Sequence, residues 1–264
     1  MHGIVGASMR GVWIGLVVCG AALAQSTGGP GGGGGSAGGG SGAPQGQGSE
    51  LDLPLSHPRD GQPIPTPVDP PVDPIDEPPP VIYGEEIPAE SDTIYYVLDI
   101  SGSMDWDPAS YTGVDGQVRV GPRIDRAKAE LVRSILGLAR NFSFDVVAYD
   151  CSTLAWRPSL QPADDGNKQA AIAWVQALYP RGATGTGPAT ALALGDKQNK
   201  TVVLLTDGAP NCGASSMSGH RSMIRAANTQ GARVHVFGIA ASGAYRAFCQ
   251  GVAADNGGGY HDVP

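Results

Sequence analysis

The chain has 264 residues, which is enough for one or two domains of ordinary size. Residues 25–91 hold 14 of the 22 prolines and 15 of the 40 glycines, with ten acids and one arginine, whereas residues 92–264 hold 15 acids and 15 bases. The net charge of −8 therefore comes from the proline- and glycine-rich part. The sequence has no Lys/Arg run or basic patch, which excludes nucleic acid as an expected partner.

An apolar run extends from Val12 to Ala24 and ends in Ala-Leu-Ala, a pattern typical of signal-peptide cleavage. The run is too short to span a membrane comfortably. We predict a signal peptide over residues 1–24 and a mature protein that is secreted, on the cell surface or periplasmic. A lipid anchor at Cys19 is the lesser alternative, because Val18 is bulky where lipoprotein processing requires a small residue.

Residues 25–91 are predicted to be a disordered linker that is Gly/Ser-rich first and Pro/Asp-rich later. Few apolar side chains are available there to offset the entropy of ordering the chain. We expect this segment to be a stalk that holds the domain of residues 92–264 away from a surface. A proline-rich ligand for another protein is the alternative.

Residues 92–264 alternate between strand and helix patterns and can bury one substantial core. The predicted strands are Thr93–Asp99, Phe142–Tyr149, a short antiparallel Thr153–Arg157, Thr201–Thr206, Ala232–Ile239 and Gly259–Val263. The predicted helices are Ile124–Arg140, Ala170–Leu178, Pro188–Leu194, one that includes Met223–Ala227, and Ala244–Ala254. This alternation predicts an α/β fold with a mainly parallel sheet covered by helices on both faces.

The first strand is an uninterrupted apolar run that ends in Asp99, followed by Ser101 and Ser103 at a spacing of two. One carboxylate and two hydroxyls at a strand end suit a hard divalent cation, which prefers oxygen ligands. The alternative is that Asp99 caps a turn and that the serines bond to nearby backbone. This motif by itself leaves both interpretations open.

Two further segments are expected at the same edge of the sheet. The strand Thr201–Thr206 also ends in a carboxylate, Asp207. The small-residue loop with Thr184 comes just before a helix, where backbone can approach a ligand closely. If the two strands are neighbours, Asp99, Ser101, Ser103, Thr184 and Asp207 can surround one cation, of which Mg²⁺ is favoured and Mn²⁺ or Ca²⁺ is possible.

Asp99-x-Ser101-x-Ser103, Gly-Ala-Thr184-Gly and Thr-Asp207-Gly together resemble the metal-ion-dependent adhesion site of von Willebrand factor type A domains. The resemblance covers essentially all of residues 92–264. It implies a Rossmann-like doubly wound fold, direct metal contacts from Ser101, Ser103 and Thr184, and contacts largely through water from Asp99 and Asp207. Members of this family mostly bind proteins, so the resemblance implies a partner that offers an Asp or Glu to the metal.

The sequence departs from the family pattern in residues 105–122, which separate the serine motif from the first helix. Asp115-Gly116 between β-forming residues predicts a small hairpin there. This hairpin would stand beside the metal and shape the choice of partner, or would be a tolerated surface loop. Asp105 and Asp107 are expected to cap turns, with additional metal ligation as the alternative.

Other chemistries fit the sequence less well. The Gly-rich loop at Thr184 follows a helix, whereas a dinucleotide-binding loop should follow a strand. A metal-assisted hydrolase needs a base, yet no recognisable catalytic motif includes Cys151 or any histidine, and mid-strand His235 reads as structural. An assembly role with metal-ordered loops is a third hypothesis.

The cysteines fit an oxidising compartment. Removing Cys19 with the signal peptide leaves Cys151, Cys212 and Cys249, an odd number. Cys212 follows the strand that ends at Asp207, and Cys249 lies in the helix after the adjacent strand. We predict a Cys212–Cys249 disulfide, with Cys151 free or intermolecular.

Overall fold

The computed structural model describes residues 78–88, 91–208 and 210–264. The predicted signal peptide, the alternative anchor at Cys19 and the linker up to residue 77 lie outside these residues. The strands are β1 (Val81–Ile82), β2 (Glu85–Glu86), β3 (Thr93–Asp99), β4 (Ala109–Thr112), β5 (Val118–Gly121), β6 (Ser143–Tyr149), β7 (Thr153–Ala155), β8 (Gln161–Pro162), β9 (Thr201–Thr206), β10 (Arg233–Ile239) and β11 (Tyr260–Val263). The helices are α1 (Arg123–Gly137), α2 (Asp165–Ala177), α3 (Thr186–Ala193), α4 (Met217–Ala227) and α5 (Gly243–Asp255). Within the described ranges, no helix is long and apolar enough to cross a membrane.

The main sheet contains five parallel strands in the order β11-β10-β9-β3-β6. The short strands β7 and β8 pair antiparallel with β6. The predicted mainly parallel α/β sheet is confirmed. Strand order reverses at β3, because the chain passes from β3 to β6 on one side and later continues through β9 on the other. The loops that follow β3 and β9 therefore meet at the carboxyl edge, where sheets of this kind bind ligands.

The two faces of the sheet are both apolar, which explains why its central strands are continuous apolar runs. Alternate residues of β3 point to opposite faces. Ile94, Tyr96 and Leu98 pack with α1 and α2, whereas Tyr95 and Val97 pack with α3, α4 and α5. Helices therefore cover both faces, as a doubly wound fold requires.

A short hairpin formed by β1 and β2 packs against α1. Ile82 and Ile87 of this segment are 1% and 0% exposed and belong to the core. The Tyr83 ring stacks on Phe237 at 5.8 Å, and the Tyr83 N–H donates to Glu130 at 3.0 Å. The prediction of a disordered linker is therefore wrong for residues 80–87. The prediction depended on the average composition of residues 25–91, which gives no weight to three apolar side chains that reach the core, Ile82, Tyr83 and Ile87.

Candidate metal centre

Asp99 is the last residue of β3, and its side chain is completely buried. Oδ1 accepts a hydrogen bond from the backbone N–H of Ser101 at 2.8 Å. Oδ2 accepts from the hydroxyls of Tyr149 at 3.1 Å and Thr206 at 2.7 Å. The β3 loop, β6 and β9 thus fix both oxygens of one buried carboxylate, which suits an organising role better than that of a mobile base.

The surroundings of Asp99 favour positive charge. The pKa of Asp99 is raised to about 6, first by burial and then by the negative charge of Asp207, against hydrogen bonds that favour the charged form. Two neighbouring carboxylates in a buried site repel each other, and a nearby cation relieves that repulsion. The carboxyl edge of the sheet is therefore electrostatically suited to a cation.

The serines follow Asp99 into a 3₁₀ turn over Gly102–Asp105. Ser101 is buried, Ser103 is half-buried, and their hydroxyl oxygens lie 3.2 Å apart. The N–H of Gly102 donates to the carbonyl of Gly182 at 3.1 Å, and a Cβ on Gly102 would lie 3.3 Å from that oxygen. The small residue between the serines therefore allows the first loop to contact the second directly.

Thr184 is buried in the second loop, and its backbone is held by the third. Its N–H donates to the Asn211 side-chain oxygen at 2.8 Å, and its carbonyl accepts from the N–H groups of Asn211 at 2.9 Å and Cys212 at 3.1 Å. The next N–H, that of Gly185, donates to the carbonyl of Asp150 at 2.8 Å. The position of Thr184 thus depends on the loops that follow β6 and β9.

Asp207 follows β9, and its side chain is 2% exposed. Oδ2 accepts a hydrogen bond from Arg123 Nη1 at 2.8 Å, whereas Oδ1 is buried and has no hydrogen-bond partner among the described residues. The other terminal nitrogen of Arg123 pairs with Asp107. One guanidinium therefore bridges a buried carboxylate and an exposed one.

A cavity of about 440 Å³ opens at this edge of the sheet. Three of the five residues predicted to hold a cation line it: Ser103, Thr184 and Asp207. The other two, Asp99 and Ser101, are buried and connected to this group by the hydrogen bonds described above. The structure thus brings all five predicted residues to one edge, around the loops that follow β3, α2 and β9.

Sequence reasoning missed two residues of this site, Arg123 and Asn211, which also line the cavity. Arg123 is the first residue of α1. A basic residue in the first turn of a helix opposes the helix dipole, which is a sequence signal that it has an acidic partner elsewhere. Asn211 gives no comparable signal, because asparagine is common in any loop.

The predicted Cys212–Cys249 disulfide is wrong. Cys212 is bonded to Cys151, with Cα atoms 5.8 Å apart, and Cys249 is a buried free thiol. The loops after β6 and β9 both leave the carboxyl edge of the sheet, which places Cys151 beside Cys212. Cys249 lies on the inner side of α5, and a Cβ on Gly208 would lie 2.8 Å from its sulfur.

The insertion of residues 105–122 contains the predicted hairpin, formed by β4 and β5. Its turn lies over Gly113–Gln117, around the Asp-Gly pair that predicted it. Val118 and Val120 are 72% and 74% exposed. Asp107 pairs with Arg123, a role that differs from both turn capping and metal ligation.

The buried histidines bond to backbone. His220 Nδ1 accepts from the N–H of Gly187 at 2.9 Å, and His235 Nδ1 accepts from the N–H of Gly259 at 3.3 Å. Burial lowers the pKa of both, that of His235 to about 4. In the described part of the chain, no group of three or more His, Cys, Asp and Glu side chains is placed to hold a metal ion, so the candidate site depends on hydroxyl ligands.

The doubly wound sheet with polar loops at the edge where strand order reverses defines a Rossmann-like α/β protein. The family model of the von Willebrand factor type A domain matches residues 120–262, which is more than half of the chain, and the chain belongs to this family. Human inter-alpha-trypsin inhibitor heavy chain H4 is 25% identical over 177 residues, which cover 62% of this chain and 17% of that protein. The chain therefore matches less than a fifth of the length of this relative.

Two solved structures share the fold. A von Willebrand factor type A protein from Catenulispora acidiphila has a TM-score of 0.51 at 21% identity, and the match covers 67% of this chain and 39% of the other. The pilus adhesin SpaC from Lactobacillus rhamnosus GG has a TM-score of 0.52 at 16% identity, and the match covers 66% of this chain and 29% of the adhesin. At these identities, the similarities establish the fold alone.

Proposed function

We propose that the chain is a secreted or surface-displayed binding module whose divalent cation contacts an acidic side chain of a protein partner. The observation that carries this proposal is Oδ1 of Asp207, a buried carboxylate oxygen with no hydrogen-bond partner in the described part of the chain. Its residue lines the same cavity as the hydroxyl-bearing Ser103 and Thr184. A buried anionic oxygen without a partner is costly, and a cation would offset that cost.

The donor set fits a hard divalent cation. Hydroxyl and carboxylate oxygens are the ligands of Mg²⁺, and Mn²⁺ or Ca²⁺ accept the same set. As the family resemblance implies, Ser101, Ser103 and Thr184 would contact the ion directly, whereas Asp99 and Asp207 would act largely through water. The ion would supply a concentrated positive charge that attracts a carboxylate.

The surroundings of the cavity suit a protein partner. Trp106 and Tyr245 line it and are 63% and 45% exposed. Exposed aromatic side chains beside a polar centre are typical of binding surfaces that exclude water around a charged contact. A partner's acidic side chain would therefore enter between apolar surfaces.

Isothermal titration with Mn²⁺ tests the site. We expect one equivalent to bind to the wild-type protein and the Ser103→Ala variant to bind about tenfold more weakly or worse, because a direct ligand is lost. The exposed Ser110 of the insertion supplies the matched control Ser110→Ala, which should bind like the wild type. An Asp99→Ala variant with wild-type affinity would overturn the assignment.

Affinity capture from an extracellular fraction, with Mg²⁺ or with chelator, tests the partner. Binding that chelator abolishes supports metal-bridged adhesion, whereas binding that chelator leaves intact supports the assembly alternative. A metal-assisted hydrolase would need a general base at the cavity, and no histidine, lysine or cysteine is among the described residues that line it. Secretion predicts a mature N-terminus near residue 25, which N-terminal sequencing would identify.

A further inference from the structure

Arg123 lies within the group of residues proposed to hold the cation. It lines the same cavity as Ser103, Thr184 and Asp207, and only 12% of its side chain is exposed. A buried positive charge there has a large effect on any second cation, because Coulomb interactions are strong where water is excluded. A lysine or arginine on the surface of the domain would be screened instead.

The two carboxylates bound by Arg123 differ in burial. The Asp207 side chain is 2% exposed and the Asp107 side chain is 62% exposed. Oδ2 of Asp207 accepts from Arg123 at 2.8 Å, so the guanidinium already neutralises one of the acids proposed to organise the metal. Asp107 gives the guanidinium a second acceptor, in the insertion of residues 105–122.

Resting on the proposed function, we propose that Arg123 is a built-in competitor of the divalent cation for Asp207. The guanidinium and the cation cannot both lie close to Asp207 without strong mutual repulsion. When a cation binds, Arg123 gives up Asp207 and keeps its ion pair with Asp107. The Arg123–Asp107 pair thereby sets how tightly the site binds metal.

The ion pair of Arg123 and Asp107 also connects the residues proposed to hold the cation to the insertion of residues 105–122. The backbone N–H of Arg123 donates to the carbonyl of Trp106 at 3.2 Å, so the start of α1 is bonded to the start of the insertion. Asp107 is the next residue after Trp106, which lines the cavity. Movement of the guanidinium between its two acceptors would therefore displace Trp106, an exposed aromatic residue that lines the cavity.

Mn²⁺ titration of three variants tests this inference. Arg123→Gln removes the competing charge but keeps a side chain able to hydrogen-bond, and should tighten Mn²⁺ binding about tenfold or more. Asp107→Asn leaves Arg123 with Asp207 alone and should weaken Mn²⁺ binding. In the double variant the effect of Asp107→Asn should vanish, because the charge through which it acts is gone. Arg140→Gln, which breaks an ion pair whose two side chains are 79% exposed, is the control and should bind like the wild type.

The outcomes separate this inference from the proposed function. If the wild type binds Mn²⁺ and Ser103→Ala does not, but Arg123→Gln binds no more tightly than the wild type, the competitor role is overturned and the metal site stands. If neither the wild type nor Arg123→Gln binds Mn²⁺, both are overturned. Binding to Arg123→Gln alone would support the competitor role and overturn the proposed function, which requires the wild type to bind the cation. Should Arg123→Gln not fold, Arg123→Lys keeps the charge but has one nitrogen in place of the two that bridge Asp207 and Asp107, and wild-type Mn²⁺ affinity in that variant would overturn the competitor role.

Discussion

The disulfide between Cys151 and Cys212 joins the loop that follows β6 to the loop that follows β9. Both loops hydrogen-bond the segment that carries Thr184. The carbonyl of Asp150 accepts from the N–H of Gly185, and the N–H of Cys212 itself donates to the carbonyl of Thr184. The bridge therefore ties together the two supports of one proposed metal ligand.

Replacing both cysteines, in a Cys151→Ser/Cys212→Ser variant, should lower stability by about 2–4 kcal/mol, because the bridge spans a separation of 61 residues and restricts the unfolded chain. Mn²⁺ affinity should also fall, since Thr184 loses a restraint on both sides. Urea unfolding and calorimetric titration measure the two effects. A reducing agent should lower both the stability and the Mn²⁺ affinity of the wild type and should change neither in the double variant. A disulfide map that places Cys249 in the bridge would contradict the prediction.

The hydrogen bond from Thr206 to Asp99, at 2.7 Å, joins two neighbouring strands at the site. Thr206→Val keeps the shape of the side chain but removes a donor to a buried carboxylate. We expect a loss of about 1–3 kcal/mol in unfolding free energy, measured in urea at neutral pH.

The strand that contains Thr206 supplies a matched control. Thr201 is equally buried, but its hydroxyl oxygen has no hydrogen-bond partner within the described ranges. Thr201→Val should therefore leave stability unchanged or raise it. Equal effects of the two substitutions would show that the contact with Asp99 contributes nothing specific.

The β1–β2 hairpin should contribute to the stability of the domain despite its proline-rich surroundings. Ile82→Ala and Ile87→Ala each remove a fully buried side chain and should cost about 2–5 kcal/mol in unfolding free energy. Val81→Ala, at a position 44% exposed, is the control and should cost far less. If a chain that begins at residue 92 unfolds at the same urea concentration as one that begins at residue 78, the hairpin is dispensable.

The sheet and most of the candidate site could be predicted because local sequence carries them. β3 and β9 are continuous apolar runs, and each is followed directly by a carboxylate, Asp99 or Asp207. A continuous apolar run is the pattern that a strand buried on both faces of a parallel sheet requires. The carboxyl ends of parallel strands lie at one edge of the sheet, where ligands bind. The polar side chains that follow these two strands are therefore predicted to meet if the strands are neighbours, and β3 and β9 do pair.

The rest depends on contacts between distant segments. Arg123 reaches Asp207 across 84 positions of the sequence, and nothing local specifies that pair. By sequence position Cys212 could pair with Cys151 or Cys249, and the structure pairs it with Cys151 of the loop after β6, whereas Cys249 is buried on α5 against Gly208. Composition was misleading at Ile82 and Ile87, because an average over a long linker hides a few residues that pack.

Asp145 should make the stability of the domain depend on pH. Its side chain is buried in β6, where Oδ1 accepts from two backbone N–H groups and Oδ2 has no hydrogen-bond partner among the residues that the structure describes. Burial raises its pKa to about 7. Because the folded pKa lies above the usual value for aspartate, the folded state favours the proton, and this residue's contribution to stability falls as pH rises from about 4 to about 7. Asp145→Asn imitates the protonated side chain, so it should match the wild type near pH 4 and exceed it by about 1–4 kcal/mol at pH 8. Urea unfolding at both pH values measures this difference, and Asp165→Asn, at an exposed position, is the control. If Asp145→Asn is no more stable than the wild type at pH 8, burial of the Asp145 carboxylate has no cost in unfolding free energy.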